Sequence, residues 1–530
     1  MTAIIRLGPA GWNGLRRGMG VLARIAASTL GPSGRRVLIE QPFAAPQLTG
    51  SGYEIARTLE LADPVQNAGV RMLRQVAWST KDAVGDGTAT TIVLAHAIVA
   101  AAAPAVAAGI DTAALGRELA GAGDRLIAAL DRLARPLSSE AQLVLLASRA
   151  ANDDASIGPA IARAVHALQQ DGVVIVEESN GREDSLVMHR GMHFSGGYLS
   201  SHFTTDAEGR IAVLDDPYLL IVAQKITSLA GIVPALNAFA GAGRALVIIA
   251  EDVSGDALST LVVNRQQADC KLVAVKAPGF GRWQRPMLED IAIATGGTVV
   301  AADRGDALDR LRPDMLGRAR QVRVERGATT IVAGAGAADA IAQRCHELRR
   351  EIARERYLSF DREKHQERLA RLASGVAILH VAGATALERA GRMEGARAVV
   401  GAARAAFSAG VVPGGGSALL HAAQDIGCVA PATLEHRAAA AILRRALTAP
   451  ARCIARNAGA EGRRIVAGLI DGCNASLAFD VEVRDVVDAW DSGLLDPVSV
   501  VQTAFRNALS VAVAMISSGG AIVAESAQQA

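Results

Sequence analysis

The sequence predicts a multidomain protein of α and α/β type, with a mainly helical base and an α/β-layered domain inserted in its middle. Three observations carry this expectation. Both ends of the 530-residue chain are Ala-rich and helical in pattern, and aromatics make up only 3% of the whole. The middle instead alternates short apolar runs with helical stretches, the order that builds an α/β layer. The two ends resemble each other more than either resembles the middle, so the economical arrangement is nested. A chain this long also exceeds what one hydrophobic core supports.

Taken in order, residues 1–133 read as long Ala-rich helices punctuated by glycine loops, with a short strand at 37–40 between two of them. Arg135-Pro136-Leu137-Ser138-Ser139-Glu140 interrupts this pattern. Proline restricts the residue before it, and Ser139 with Gln142 three positions on is a helix start, so a hinge is expected here. A strand follows at 172–177. Beyond Gly191, strands are expected at 219–222, 245–249 and 272–275, with helices at 232–240 and 255–267 between them. A charged helix over about 339–366, a strand at 375–381 and a return to Ala-rich helix from Gly410 complete the reading.

Composition narrows the function classes. Half the residues are hydrophobic and 20% are charged, which is globular and not disordered. A net charge of +2 gives no electrostatic footprint for nucleic acid. Nearly every basic residue is Arg; the lysines are Lys81, Lys225, Lys271, Lys276 and Lys364. Cys270, Cys345, Cys428, Cys453 and Cys473 are odd in number and form no CxxC pair, which argues against a disulfide framework or a zinc site. Reduced, buried thiols are expected. The first residues lack the charged-then-apolar layout of a signal peptide. The apolar stretches 90–108 and 508–524 carry His96 and Pro104, and Ser517, Ser518, Gly519 and Gly520, and read as core helices, not membrane spans. A soluble cytoplasmic protein without membrane or nucleic-acid partners is expected.

Three glycine-bearing loops carry the chemistry: Thr29-Leu30-Gly31-Pro32-Ser33-Gly34-Arg35, Gly85-Asp86-Gly87-Thr88-Ala89-Thr90-Thr91, and Gly410-Val411-Val412-Pro413-Gly414-Gly415-Gly416. Glycines let backbone N–H groups approach a phosphate without an obstructing Cβ. The second loop runs into a helix, whose N-terminus and hydroxyls suit an anion. Asp86 there is a candidate magnesium ligand, since Mg²⁺ takes one or two carboxylates together with phosphate oxygens. No GxxxxGK[ST] loop occurs. Singly, each loop is better explained by a structural turn; together they suggest a nucleotide site.

These strings, with 249–253 (IAEDV), 260–264 (TLVVN), 276–281 (KAPGFG), 361–364 (DREK) and 493–497 (GLLDP), make the chain resemble the group I (60 kDa) chaperonins along nearly its whole length. The resemblance implies an equatorial domain of 1–133 and 409–530, an intermediate domain of 134–190 and 376–408, and an apical domain of 191–375. Hinges would fall at Pro136 with Gly410 and at Gly191 with Gly375. Subunits would form two stacked seven-membered rings that enclose non-native client proteins under a co-chaperonin lid, driven by ATP and Mg²⁺.

Carried over by position, Thr29, Leu30, Gly31 and Pro32 would wrap the phosphates, and Asp86, Gly87, Thr88, Ala89 and Thr90 would hold phosphate and metal. Gly415 would border the nucleotide, Asp496 its ribose side, and Asp480, Val481 and Glu482 its base. Two departures stand out. Where the family has Thr-Lys-Asp-Gly, this chain has Thr49-Gly50-Ser51-Gly52. Where the family delivers a second carboxylate to the attacking water, the ungapped frame gives Ala398 and the alternative frame Gly395; Glu394 is the nearest acid and the candidate substitute. The resemblance further implies a client-binding surface at Tyr198, Phe203, Val233, Leu236, Leu258, Val262 and Val263. Spacing alone makes Val233/Leu236 and Leu258/Val262 core-facing pairs on helix faces.

Three functions compete. An ATP-driven folding chamber is the first. A ring that holds clients with little turnover is the second, favoured by the lost Lys and the two lost acids. A nicotinamide dehydrogenase would need a glycine fingerprint opening a βαβ unit, and none is present.

Overall fold

The computed structural model describes residues 3–41, 44–137, 139–151, 156–168, 173–179, 183–206, 210–228, 245–267, 271–301, 306, 308, 311–354, 360–373, 375–427, 433–472 and 474–524. The chain divides into two compact units, one of residues 1–166, 176–184 and 380–530 and another of 167–175 and 185–379. The expected nesting is therefore present: the first unit is assembled from both ends of the chain.

That unit begins with β1 (Ala3–Leu7), α1 (Gly8–Ser28), the hairpin β2 (Val37–Gln41) and β3 (Ala44–Thr49), then α2 (Gly52–Thr58), α3 (Pro64–Val84), α4 (Thr88–Ala107), α5 (Thr112–Leu133), α6 (Glu140–Ala150) and α7 (Ile157–Leu168). Helix starts follow ordinary capping chemistry. The Asp63 and Asp111 carboxylates accept from the first free amides of α3 and α5, and Ser139 Oγ accepts from Gln142 N at 3.3 Å to open α6. Strand β2 stands where it was expected, and its partner β3 adds a hairpin that alternation did not reveal.

The second unit carries half of β4 (Val173–Glu178), with β5 (Ser185–Ser195), β6 (Ala212–Asp215), β7 (Tyr218–Ile226), β8 (Leu246–Val253), α8 (Asp256–Gln267), β9 (Leu272–Lys276), α9 (Gln284–Thr295), β10 (Val299–Val300), β11 (Gly317–Val324), β12 (Ala328–Gly334), α10 (Ala338–Arg354), α11 (Phe360–Ala373) and part of β13 (Gly375–Val381). Strands β10, β7, β8 and β9 run parallel in that spatial order. Their near-continuous apolar runs are buried, as sheets covered on both faces require. The long charged helix expected over 339–366 is two helices, α10 and α11. Buried Asp290 on α9 ties both to it, through Arg344 at 2.9 Å and Arg368 at 2.6 Å. The helix expected at 232–240 lies outside the described residues.

The chain then returns to the first unit with α12 (Ala386–Ala409), β14 (Val411–Pro413), α13 (Ser417–Ala423), α14 (Leu434–Ala446), α15 (Ala449–Asn457), α16 (Gly462–Asp471), the hairpin β15 (Leu477–Asp480) and β16 (Asp485–Asp488), α17 (Ala489–Ser492), β17 (Leu495–Pro497), α18 (Val498–Ile516) and β18 (Gly520–Ala524). Strands β1 and β18 pair antiparallel, Ala3 opposite Ala524 and Leu7 opposite Gly520. Trp12 Nε1 donates to Met515 O across 503 residues at 3.1 Å. Leu94, Leu126, Leu443 and Phe505 share one core drawn from both ends. Helices α4 and α18 are long and apolar enough to cross a membrane by length and composition, but they pack on one another in that core.

Small residues set helix spacing here. A Cβ on Gly18 of α1 would lie 1.8 Å from Gln66 O of α3, and one on Gly69 of α3 would lie 2.1 Å from Leu15 O of α1. Gly18→Ala is therefore expected to destabilise this unit by about 1–3 kcal/mol through overpacking. The readout is a lower urea midpoint; an unchanged midpoint would mean that α1 and α3 separate at no cost.

The residue pairs singled out as hinges are neighbours. Arg135 and Val411 exchange both backbone hydrogen bonds, at 2.9 and 2.8 Å, and Gly410 beside them has φ +84°. A Cβ on Gly410 would sit 2.7 Å from Arg135 O. In the other unit, a Cβ on Gly191 would sit 2.5 Å from the Val376 side chain, next to Gly375.

Candidate functional site

The first glycine loop is the exit from α1. Thr29 caps the helix with its Oγ1 on Ala26 O at 2.9 Å. Gly31, at φ +78°, then folds the chain back so that Gly34 N reaches Gly31 O and Arg35 N reaches Ser28 O. The Asn457 amide clamps this turn by donating to Ala27 O and Leu30 O at 2.8 and 2.9 Å. Leu30 packs with Ala89 and Val93 of α4, which ties the first loop to the second.

The second loop joins α3 to α4. Gly85 and Gly87 both have positive φ, 75° and 80°, a conformation that disfavours side chains. They hold Asp86 out between two helix ends. Its Oδ1 accepts from Gly87 N at 2.6 Å, and no side chain caps α4, whose first residue is Thr88. The N-terminal amides of α4 are thus presented with the partial positive charge of the helix end. Thr91 Oγ1 bonds Gly87 O and pairs with buried Thr80, fixing the loop from below. Thr90 is half-buried at the same helix end.

The third loop follows β14. Gly415 and Gly416 have φ +65° and +78°. Strand β17 pairs with β14 so that Asp496 stands opposite Val412. The Gly415 and Gly416 amides hydrogen-bond to the Asp496 carboxylate, and a Cβ on Gly414 would lie 3.2 Å from Asp496 Oδ1. Burial first, and then the facing Asp86 carboxylate, push Asp496 up to about 6 against those two hydrogen bonds. Two loops far apart in sequence therefore bring like charges together, which is the arrangement a divalent cation relieves.

Asp480 ends β15 opposite Asp485, Val481 and Glu482 open the turn into β16, and Phe479 O lies 3.7 Å from where a Gly415 Cβ would stand. Asp480 is buried; its Oδ1 accepts from Glu482 N at 2.8 Å. Arg149 of α6 pairs with both Asp480, at 3.3 Å, and Glu482. Val481 packs on a small cluster that includes Phe479.

The positions of departure lie beside these loops. Ser51 caps α2, its Oγ accepting from Glu54 N at 3.5 Å. A Cβ on neighbouring Gly52 would be 2.7 Å from Ala89 Cα, so this corner leans on the start of α4. Thr49 is fully buried; its Oγ1 accepts from Ser51 N at 2.9 Å and donates to the Glu394 carboxylate at 3.0 Å. Burial pushes Glu394 above the usual carboxylate range, with Glu54 adding to it, against the Thr49 hydrogen bond and the charges of Lys81 and Arg36. Ala398 follows one turn after Glu394 on α12. Gly401 follows it on the same stripe, its missing Cβ 3.9 Å from Gly85 Cα. Gly395, of the alternative frame, is exposed and a Cβ there would meet nothing within 4 Å.

Four residues here escaped sequence reasoning: Lys81, Thr49, Arg149 and Ser417. Ser417 opens α13 directly after the glycine run, fully buried, and its Oγ has no hydrogen-bond partner among the described residues. A buried hydroxyl left unpaired is costly, so a ligand atom is the natural partner. With the glycine cradle and the facing Asp86 and Asp496, it makes the site fit a nucleotide with its magnesium.

On the second unit, the residues predicted to bind clients are unequally placed. Phe203 is fully buried and offers no surface. Tyr198, Leu258 and Val262 are partly buried against the core, and Val263 on α8 is 45% exposed. Val233 and Leu236 lie outside the described residues.

The sequence model of the TCP-1/cpn60 chaperonin family matches residues 22–525. Among solved structures, the chain is similar to the chaperonin gp146 from bacteriophage EL (Pseudomonas aeruginosa), determined in the presence of ATP-BeFx. Identity is 19% over 99% of this chain and 100% of that one, with a TM-score of 0.73. At that identity the likeness concerns the fold.

Proposed function

Because this chain belongs to the TCP-1/cpn60 chaperonin family, we propose that it is a ring-forming chaperone subunit that uses ATP to bind non-native proteins and promote their folding in an enclosed cavity. The observation that supports this best is that two glycine loops bring the carboxylates of Asp86 and Asp496 to face each other, with the remaining glycine loop packed on the start of α4 beside them. The proposed division is equatorial (1–133, 409–530), intermediate (134–190, 376–408) and apical (191–375). The proposed assembly is two stacked seven-membered rings in the cytoplasm with a co-chaperonin lid.

Bound ATP with Mg²⁺ supplies the phosphoryl group and the binding free energy that shifts one conformation toward another. The chain's own residues do the rest. Backbone at Thr29, Leu30, Gly31 and Pro32 and the start of α4 cradle the phosphates. Asp86 meets the metal, Asp496 the ribose side, and Asp480, Val481 and Glu482 the base. Glu394, with its raised pKa and its carboxylate fixed by Thr49, is suited to orient water and take its proton.

Client capture is assigned to the apical unit. Val263→Ser places a hydroxyl on an exposed apolar position and is expected to weaken client docking by about 1–2 kcal/mol. The measurement is suppression of aggregation of an unfolded test protein by the assembled ring. Full protection by the variant would remove α8 from the client surface.

A second reading rests on Gly50, Ser51 and Ala398, which leave the family's cation and acids unfilled at their own positions. It makes the chain a client-holding or accessory ring protein with impaired hydrolysis. Steady-state phosphate release discriminates. The second reading expects turnover at least about a hundredfold below a standard chaperonin, partly restored by Ser51→Asp with Ala398→Asp. Turnover within a few-fold of the standard rejects it.

A further inference from the structure

We propose that Lys81 and Glu394, contributed by α3 and α12, supply together the cation and the carboxylate that are missing from the loop Thr49-Gly50-Ser51-Gly52. This rests on the ATP-driven reading above and adds to it Lys81 as the cation that recognises the terminal phosphate, with Glu394 as the acid beside it.

Lys81 lies in the last turn of α3, half-buried, and its Nζ donates to Gly85 O at 2.9 Å. The next residue along the loop is Asp86. An ammonium has three donors, so this bond leaves two for an anion. A lysine at a helix C-terminus also has a plain structural use, satisfying a terminal carbonyl. Two further observations point beyond that use. The charge of Lys81 acts on Glu394, whose carboxylate is bound to Thr49 at the corner where the family's lysine and acid stand. Helix α12 carries Glu394 on the same stripe as Gly401, which passes Gly85 itself. A cation and a carboxylate from separate helices thus both lie beside the phosphate loop, Lys81 on Gly85 O and Glu394 on Thr49. The chain is also so biased to arginine that Lys81 is one of only five lysines among 55 basic residues. A compact, strongly hydrated point charge suits a phosphate oxygen in a tight loop, where a planar guanidinium would need more room.

The test compares binding of a non-hydrolysable ATP analogue and of ADP, each with Mg²⁺, to the assembled protein by calorimetry. Lys81→Gln keeps a donor for Gly85 O and removes the charge. It is expected to lose roughly tenfold or more in analogue affinity while ADP affinity stays within about twofold. Lys81→Met should do the same, and Lys81→Arg should retain part of the preference. Glu394→Gln should act with the opposite sign, raising analogue affinity relative to ADP, because it removes a negative charge near the terminal phosphate. Equal losses for both nucleotides in Lys81→Gln would reduce Lys81 to a helix cap and overturn the assignment, as would an unchanged ratio in both variants. A wild-type protein that binds neither nucleotide would overturn the ATP reading itself, and this assignment with it.

Discussion

Glu394→Gln is expected to lower ATP turnover by about 10²–10⁴-fold, the usual cost of removing a positioned acid–base group. The motivation is geometric. Glu394 is the acid that the structure brings to the corner formed by Thr49 and Ser51, and Thr49 holds its carboxylate at 3.0 and 3.1 Å. Glutamine keeps an acceptor for Thr49, so the loss would be one of chemistry and not of packing. Stability gives an independent check with the opposite sign. The Glu394 pKa is raised in the folded protein, so the folded state disfavours its charged form. That penalty grows as pH rises through the unfolded-state pKa toward the folded one, and is complete above it. Glu394→Gln should therefore be more stable than wild type at neutral pH, with the difference vanishing in acid below the unfolded-state pKa. Turnover unchanged beside this stability gain would leave Glu394 a buried structural acid.

Asp86→Ala is expected to weaken Mg²⁺-dependent ATP binding by at least about 10–100-fold, a loss that even groups behind a metal ligand produce. Asp86 stands between two left-handed glycines, with one oxygen on the Gly87 amide and its charge facing Asp496. Without nucleotide, the substitution separates two like charges, so thermal stability should be kept or should rise. Calorimetry with and without Mg²⁺ decides. Affinity equal to wild type in the presence of Mg²⁺ would remove Asp86 from the metal site. A parallel loss of stability would mark it as a loop residue.

The loops were legible in the sequence because their chemistry is local. Gly31, Gly85, Gly87, Gly415 and Gly416 all adopt positive φ, which glycine tolerates and other residues avoid. Asp86 lay inside such a loop and Asp496 inside a matching string, so both could be named without coordinates. Hairpin β2–β3 was half visible: 37–40 read as a strand, but its partner Ala44–Thr49 contains Pro46 and gives no clean alternation. The charged stretch from Asp339 reads as one helix, whereas the structure describes α10 and α11 as separate elements that both contact Asp290. Phe203 shows the reverse. The resemblance makes it a client-binding position, yet it is fully buried in the core of the second unit.

The sequence by itself determined the nesting of an α/β unit within a helical one, the three glycine loops and the chaperonin family. Each of these is written in periodicity, turn chemistry or contiguous strings. Only the tertiary structure decided what meets what. Asp86 and Asp496 face each other although 410 positions apart in the numbering. Glu394 reaches Thr49 across 345 residues, and Arg149 reaches Asp480 across 331. Such contacts follow from which helices pack together and at what spacing, and that depends on close approaches such as Gly52 on Ala89 and Gly401 on Gly85. Electrostatic shifts depend on burial and on charges brought near through space, so the sequence could name Glu394 as the nearest acid but not its partner Thr49, and no local pattern announces Lys81.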